Sequence, residues 1–152
     1  MVEISENWIK KVLDDQEYRI EKIGNEDVFA FKENLGVVIE DKDWKDPVKV
    51  FKNNIYHRGI NGKWYYKKRS QVVNYGYQIK MRDREKKIYR FIVCAYVVSN
   101  LIGRRVQPIF FRKFGTIFVI NREYFPVWLK SLERTYLGEM ALEAPSHYMG
   151  GK

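Results

Sequence analysis

The chain has 152 residues, 45 % of them hydrophobic and 16 % aromatic, with a net charge of +9, which suits one folded domain and excludes a disordered segment. Its single cysteine, Cys94, excludes an intrachain disulfide and a cysteine-based zinc site, and its two histidines, His57 and His147, exclude a histidine-rich metal centre. No apolar run approaches the roughly 20 residues of a membrane span, because the longest, Ile88 to Ile102, is short and interrupted by Arg90.

The N-terminus is acidic and lacks a hydrophobic signal core, so a cytoplasmic protein with no membrane partner is expected. Ser5 is a plausible N-cap, followed by Trp8, Ile9, Val12 and Leu13 at helical spacing to about Gln16. Tyr18 to Ile23 reads as a strand closed by Gly24-Asn25. Asp27 to Lys32 is the next strand, Glu33 to Gly36 a turn, and Val37 to Lys42 its antiparallel partner. Asp46-Pro47 marks a turn or a helix start, and Lys52 to Ser70 reads as irregular, with Gly59, Asn61 and Gly62 turning the chain into a short Lys63 to Tyr66 strand.

A helix is expected from Asn74–Tyr77 to Leu101, because Ile88, Phe91, Ile92, Ala95 and Ser99 fall on one stripe. Val106 to Phe111 and Thr116 to Ile120 read as strands around a Lys113-Phe-Gly115 turn. Asn121 then caps a last helix with Phe125, Trp128, Leu129 and Leu132 on its apolar side and Pro126 in its first turn. Residues 139–152 are expected to be a loosely held tail, leaving 1–138 as one domain. The expected order is α-β-β-β-β-α-β-β-α, an α/β fold with a mixed central sheet flanked by helices.

Charge is divided unevenly. Residues 1–50 hold 8 Lys and Arg against 13 Asp and Glu, a balance of −5, and residues 51–152 hold 20 against 6, a balance of +14. An acidic segment able to hold a metal beside a basic surface suits a polyanionic partner, nucleic acid above all.

The apolar run Gly36-Val-Val-Ile-Glu40-Asp-Lys42 ends in Glu-x-Lys, and strand alternation sends Glu40 and Lys42 to the same face. If the hairpin turn is centred between Asn34 and Leu35, Asp27 lies opposite Lys42 and Phe29 opposite Glu40, so that Asp27, Glu40 and Lys42 converge. Two carboxylates and a carbonyl oxygen from Asp41 suit a magnesium or manganese ion, which prefers hard oxygen donors. Lys42 would hold the attacking water or screen a phosphate, and Glu6, in line with Ile9 and Leu13, could add a further acid. The blander readings stay open: Glu-x-Lys as a cross-strand ion pair at a sheet edge, and Glu6 as a helix-dipole charge.

On these residues the chain resembles the PD-(D/E)XK nuclease superfamily, and within it the nuclease-related (NERD-type) and Mrr-like branches. The pattern is Asp27-Val-Phe-Ala-Phe31, a short turn, then Gly36 to Lys42 with Trp44 after the lysine. Asn61-Gly62-Lys-Trp64 is similar to a later turn of the NERD-type pattern, and Asn74-Tyr-Gly-Tyr-Gln78 to its helix start with Tyr75 in place of proline. Glu26 stands where the superfamily's name has proline. The resemblance spans about residues 5–132 and implies a restriction-endonuclease-like fold. It makes Asp27 and Glu40 metal ligands, Lys42 the catalytic lysine, Gln78 a positioning residue and Glu6 an optional acid.

Basic residues Lys67, Lys68, Arg69, Arg82, Arg84, Lys86, Arg104 and Arg105, interleaved with Tyr65, Tyr66, Tyr75 and Tyr77, are the expected phosphate and base contacts. The expected activity is magnesium- or manganese-dependent hydrolysis of DNA, with a homodimer possible. The rivals are a nucleic-acid-binding protein without catalysis and a subunit whose aromatics form a protein interface.

Overall fold

The computed structural model describes residues 2–23, 27–42, 45–67, 91–112 and 115–148. Helix α1 (Val2–Asp15) leads into strands β1 (Arg19–Ile23), β2 (Asp27–Lys32) and β3 (Leu35–Lys42), followed by β4 (Val48–Phe51), β5 (Asn54–Arg58) and β6 (Trp64–Lys67). After residues 68–90 come β7 (Phe91–Val98), β8 (Val106–Phe111), β9 (Gly115–Asn121), a 3-10 turn over Arg122–Tyr124 and helix α2 (Phe125–Tyr148). The fold is mixed α/β. Among the described residues no helix is long and apolar enough to cross a membrane.

Among the described residues, six strands form the main sheet in the order β1-β2-β3-β7-β9-β8, and β4-β5-β6 form a separate sheet. The main sheet is mixed: β1, β2 and β3 pair antiparallel, β3-β7 and β7-β9 parallel, and β8-β9 antiparallel. Val38, Cys94, Ile117 and Ile109 line one face and join a buried cluster with Val48 and Ile55 of the small sheet. Val37, Ile39, Val93, Ala95 and Val97 line the other, against Ile9 and Leu13 of α1 and Phe125, Leu129 and Leu132 of α2. The small sheet thus covers one face and the helices the other.

Because both faces are covered, the central strands must be apolar throughout, and β3 from Leu35 to Ile39 and β7 from Val93 to Val98 are buried residue after residue. This corrects the expected helix ending at Leu101, since residues 91–98 are a parallel strand. A continuous apolar run carries no period that separates a buried strand from a buried helix, although the β-branched Ile92, Val93, Val97 and Val98 favoured the strand. The start of that expected helix lies outside the described residues.

Val48 to Arg58 is a hairpin, which overturns the irregular chain expected from Lys52 onward. Lys52 and Asn53 have φ of 48° and 65° and form its two-residue loop, the conformation of a type I′ turn. Asn53 also accepts a hydrogen bond from the Phe110 N–H (3.2 Å), which blunts the free edge of β8. The turn expected at Gly59 to Gly62 is present, closed by Gly59 N–H to Lys63 O (2.8 Å) and Gly62 N–H to Gly59 O (2.9 Å).

Phe125, Trp128, Leu129 and Leu132 form the buried stripe of α2. The helix continues past Gly138 to Tyr148, through the stretch expected as a loose tail. Asn121 does not cap it through its side chain. Its Oδ1 accepts the Leu101 N–H (3.2 Å) and so anchors the loop after β7.

A polar cluster fastens α2 to the start of the sheet. Lys32 Nζ donates to Gln16 O (3.0 Å) and to Glu133 Oε1 (3.1 Å), and Gln16 Nε2 donates to Pro126 O (3.2 Å). Burial first, then the Glu133 carboxylate, push the neighbouring Tyr18 phenol far above its usual range. Below the ordinary tyrosine value of about 10, the phenol is neutral whether the chain is folded or not. Above it the unfolded chain ionises first, so the stabilisation is lost as pH rises. We therefore expect the wild-type urea midpoint to fall more steeply than that of Tyr18→Phe between about pH 9 and about pH 11. Gly36 supplies a second test. A Cβ there would sit 2.9 Å from Phe29 Cε1 and 3.1 Å from Ile92 Cδ1. Gly36→Ala should therefore cost about 1–3 kcal/mol in chemical denaturation.

Candidate functional site

The parallel strands β3, β7 and β9 end together, with Lys42 paired to Val98 and Val98 to Asn121. Carboxyl ends of parallel strands are where sheets of this kind collect functional groups, because loops diverge there and leave a crevice. Glu40 and Lys42 stand at this end of β3, on the face covered by the small sheet.

Among the described residues Glu40 stands out as a buried charged residue, only 3 % exposed. Lys42 Nζ lies 3.3 Å from Glu40 Oε2, and the lysine side chain keeps 23 % of its surface open. A carboxylate removed from water is costly unless compensated, and Lys42 compensates it while remaining accessible from outside. The pair belongs to one strand, and that strand is central, with β2 and β7 on either side. It is therefore not a cross-strand pair at a sheet edge.

Asp27 opens β2 directly opposite Glu40, with Phe29 opposite Val38. This corrects the expected register. The loop is Glu33-Asn34, one position earlier than expected, and Glu33 takes a φ of 52° to allow it. Moving the loop by a whole residue shifts every pairing by two, so parity survives and Asp27 and Glu40 occupy positions on the same face. Asp27 sits closer to Glu40 in register than the sequence suggested. Tyr96 of β7 lies opposite Glu40 on its other side and is fully buried. It was missed because its strand was read as a helix.

Asp41 alternates to the opposite face. Arg122 Nη1 donates to its Oδ1 at 2.9 Å, and the same guanidinium lies 5.0 Å from the Trp8 ring. The carboxylate of Asp41 is thus committed to a link between β3, the end of β9 and α1. Arg122 was missed as well, since it follows an expected cap and nothing local marks its distant partner. Glu6 lies on α1, which packs on the Asp41 side of the sheet, opposite the Glu40 side.

Arg104 and Arg105 are exposed in the loop between β7 and β8, and the Arg105 guanidinium lies 5.8 Å from the Tyr124 ring. Lys67 closes β6. Gln78, Lys68, Arg69, Arg82, Arg84, Lys86, Tyr75 and Tyr77 lie outside the described residues. Tyr65 and Tyr66 are both exposed on β6.

Among the described residues no three His, Cys, Asp or Glu side chains gather into a metal-holding group. The donors that the backbone brings together are the two carboxylate positions, Glu40 and Asp27. Such a pair fits magnesium, which is usually held by one or two carboxylates with water and phosphate completing an octahedron. No family model, curated protein or solved structure matches the chain.

The Asp41–Arg122–Trp8 link predicts a structural phenotype. Arg122→Ala should lower stability by about 1–3 kcal/mol, and Arg122→Lys should restore only part of that loss, because an ammonium lacks the planar face that lies over Trp8. Denaturant midpoints of the three proteins check this.

Proposed function

We propose that this chain is a metal-dependent nuclease with a restriction-endonuclease-like core, hydrolysing phosphodiester bonds in DNA. The observation that carries this reading is the buried Glu40 carboxylate with Lys42 Nζ at 3.3 Å, at the carboxyl end of a central strand whose β2 partner position is Asp27. A buried ion pair adds little net stability over apolar residues of the same size. Its placement at the carboxyl end of β3, with the lysine partly open, therefore favours use over architecture.

Glu40 and Asp27 are the residues that would hold a magnesium or manganese ion. When bound, the ion supplies an acidified water and positive charge beside the scissile phosphate. Lys42 acts from the same face. Its ammonium orients the attacking water and offsets negative charge developing on the phosphoryl oxygens, in a setting less screened than bulk water. Glu40 in turn fixes the position of Lys42. Cationic side chains along residues 51–152 supply sequence-independent phosphate contacts, so affinity falls steeply with salt.

The test is incubation of plasmid and linear DNA with the purified protein and magnesium or manganese. Glu40→Ala and Lys42→Ala should each slow cleavage about 100-fold or more while both proteins still bind DNA. Cleavage that survives both substitutions overturns the site. Binding with no cleavage under either metal selects a nucleic-acid-binding protein without catalysis.

A further inference from the structure

The small sheet has two unlike faces. Val48, Val50 and Ile55 turn toward the main sheet. By alternation its outer face carries Lys49, Phe51, Tyr56, Arg58, Trp64 and Tyr66. Phe51 is 54 % and Tyr66 52 % exposed, and Arg58 is exposed as well. Lys49 Nζ lies 4.3 Å from the Trp64 ring centroid, 5.9 Å from that of Tyr56 and 6.0 Å from that of Phe51. Tyr56 and Tyr66 meet edge to face at 5.9 Å. The face is a row of aromatic rings with cations set among them.

Its charge selects the occupant. Residues 45–67 hold six Lys and Arg against one acidic residue, Asp46. A protein-docking face is depleted in lysine at its centre, whereas a strand of unpaired nucleotides needs both rings for its bases and cations for its phosphates. The position of the sheet agrees. Pro47 O accepts the Arg58 N–H (3.0 Å), and Val48 exchanges bonds with Asn100 and Ile102 just beyond β7. The Arg58 and Trp64 end of the face is therefore tied to the same end of the main sheet as Glu40 and Lys42.

We propose that the outer face of β4-β5-β6 is a stacking platform for single-stranded nucleic acid, with bases on Phe51 and Tyr66 and phosphates on Lys49 and Arg58. This rests on the nucleic-acid part of the function proposed above and makes the bound substrate an unpaired strand or the unpaired portion of a branched one.

The experiment is fluorescence anisotropy of a dye-labelled oligothymidylate of about 20 nucleotides, titrated with full-length protein in a chelator, so that the outcome does not depend on cleavage. Phe51→Ala and Tyr66→Ala should each raise Kd about fivefold or more. Tyr66→Phe should bind like wild type, because stacking uses the ring and not the hydroxyl. Lys130→Ala, which removes an exposed charge on α2 across the main sheet, should change Kd by less than either ring deletion. Single-strand affinity unchanged in both ring deletions, no binding by the wild type, or self-association abolished by the same variants without oligonucleotide binding would each overturn the platform. A protein that cleaves nothing and still shows the ring dependence refutes the nuclease and keeps the platform. Cleavage that depends on Glu40 but is indifferent to Phe51 and Tyr66 does the reverse.

Discussion

Strand β3 is hydrogen-bonded on both edges and buried on both faces, and the rest of the molecule is arranged around that confinement. From Leu35 to Ile39 it pairs antiparallel with β2 and parallel with β7, with helices on one face and the small sheet on the other. A strand held this way has one tolerable register, because a slip of one residue exchanges its two faces. At its end that constraint becomes electrostatic. Glu40 and Lys42 leave toward the small sheet and Asp41 toward the helices, so each carboxylate meets its own cation, Lys42 on one face and Arg122 on the other.

The two pairs do different work. Arg122, in the turn just after β9, pairs with Asp41 of β3 while lying over Trp8 of α1, and so ties three elements at the carboxyl end of the sheet. The ion pair between Glu40 and Lys42 lies within one strand and so ties no two elements to each other. The register that places Asp27 across from Glu40 adds a second acidic position to the same face.

The small sheet is fastened to this end of the main sheet. Its apolar side completes the core over Cys94 and Ile109, and its outer side is left to aromatic rings and cations. One element of three short strands thus closes the hydrophobic core on one side and presents rings and cations on the other. Asn53 fastens the far end of that sheet to β8, and Asn100 and Ile102 fasten the near end beyond β7.

Much of this was legible in the residues and some was not. The alternation that puts Glu40 and Lys42 on one face is a property of any strand, and the turn at Gly59 to Gly62 and the stripes of α1 and α2 are local patterns that tertiary contacts did not override. β7 was read as a helix because burial on both faces erases the polar half of its period. The β4-β5 hairpin was missed because its loop, Lys52-Asn53, lacks the usual glycine and still takes positive φ at both positions. By itself, then, the sequence determined the local periods, the parity of the hairpin and the charges available at the end of β3. Only the tertiary structure decided which strand lies beside β3, that Arg122 answers Asp41 across 81 positions, and that the rings of the small sheet face outward. Those are pairings between distant segments, fixed by which faces must be dry, and no local pattern of residues encodes them.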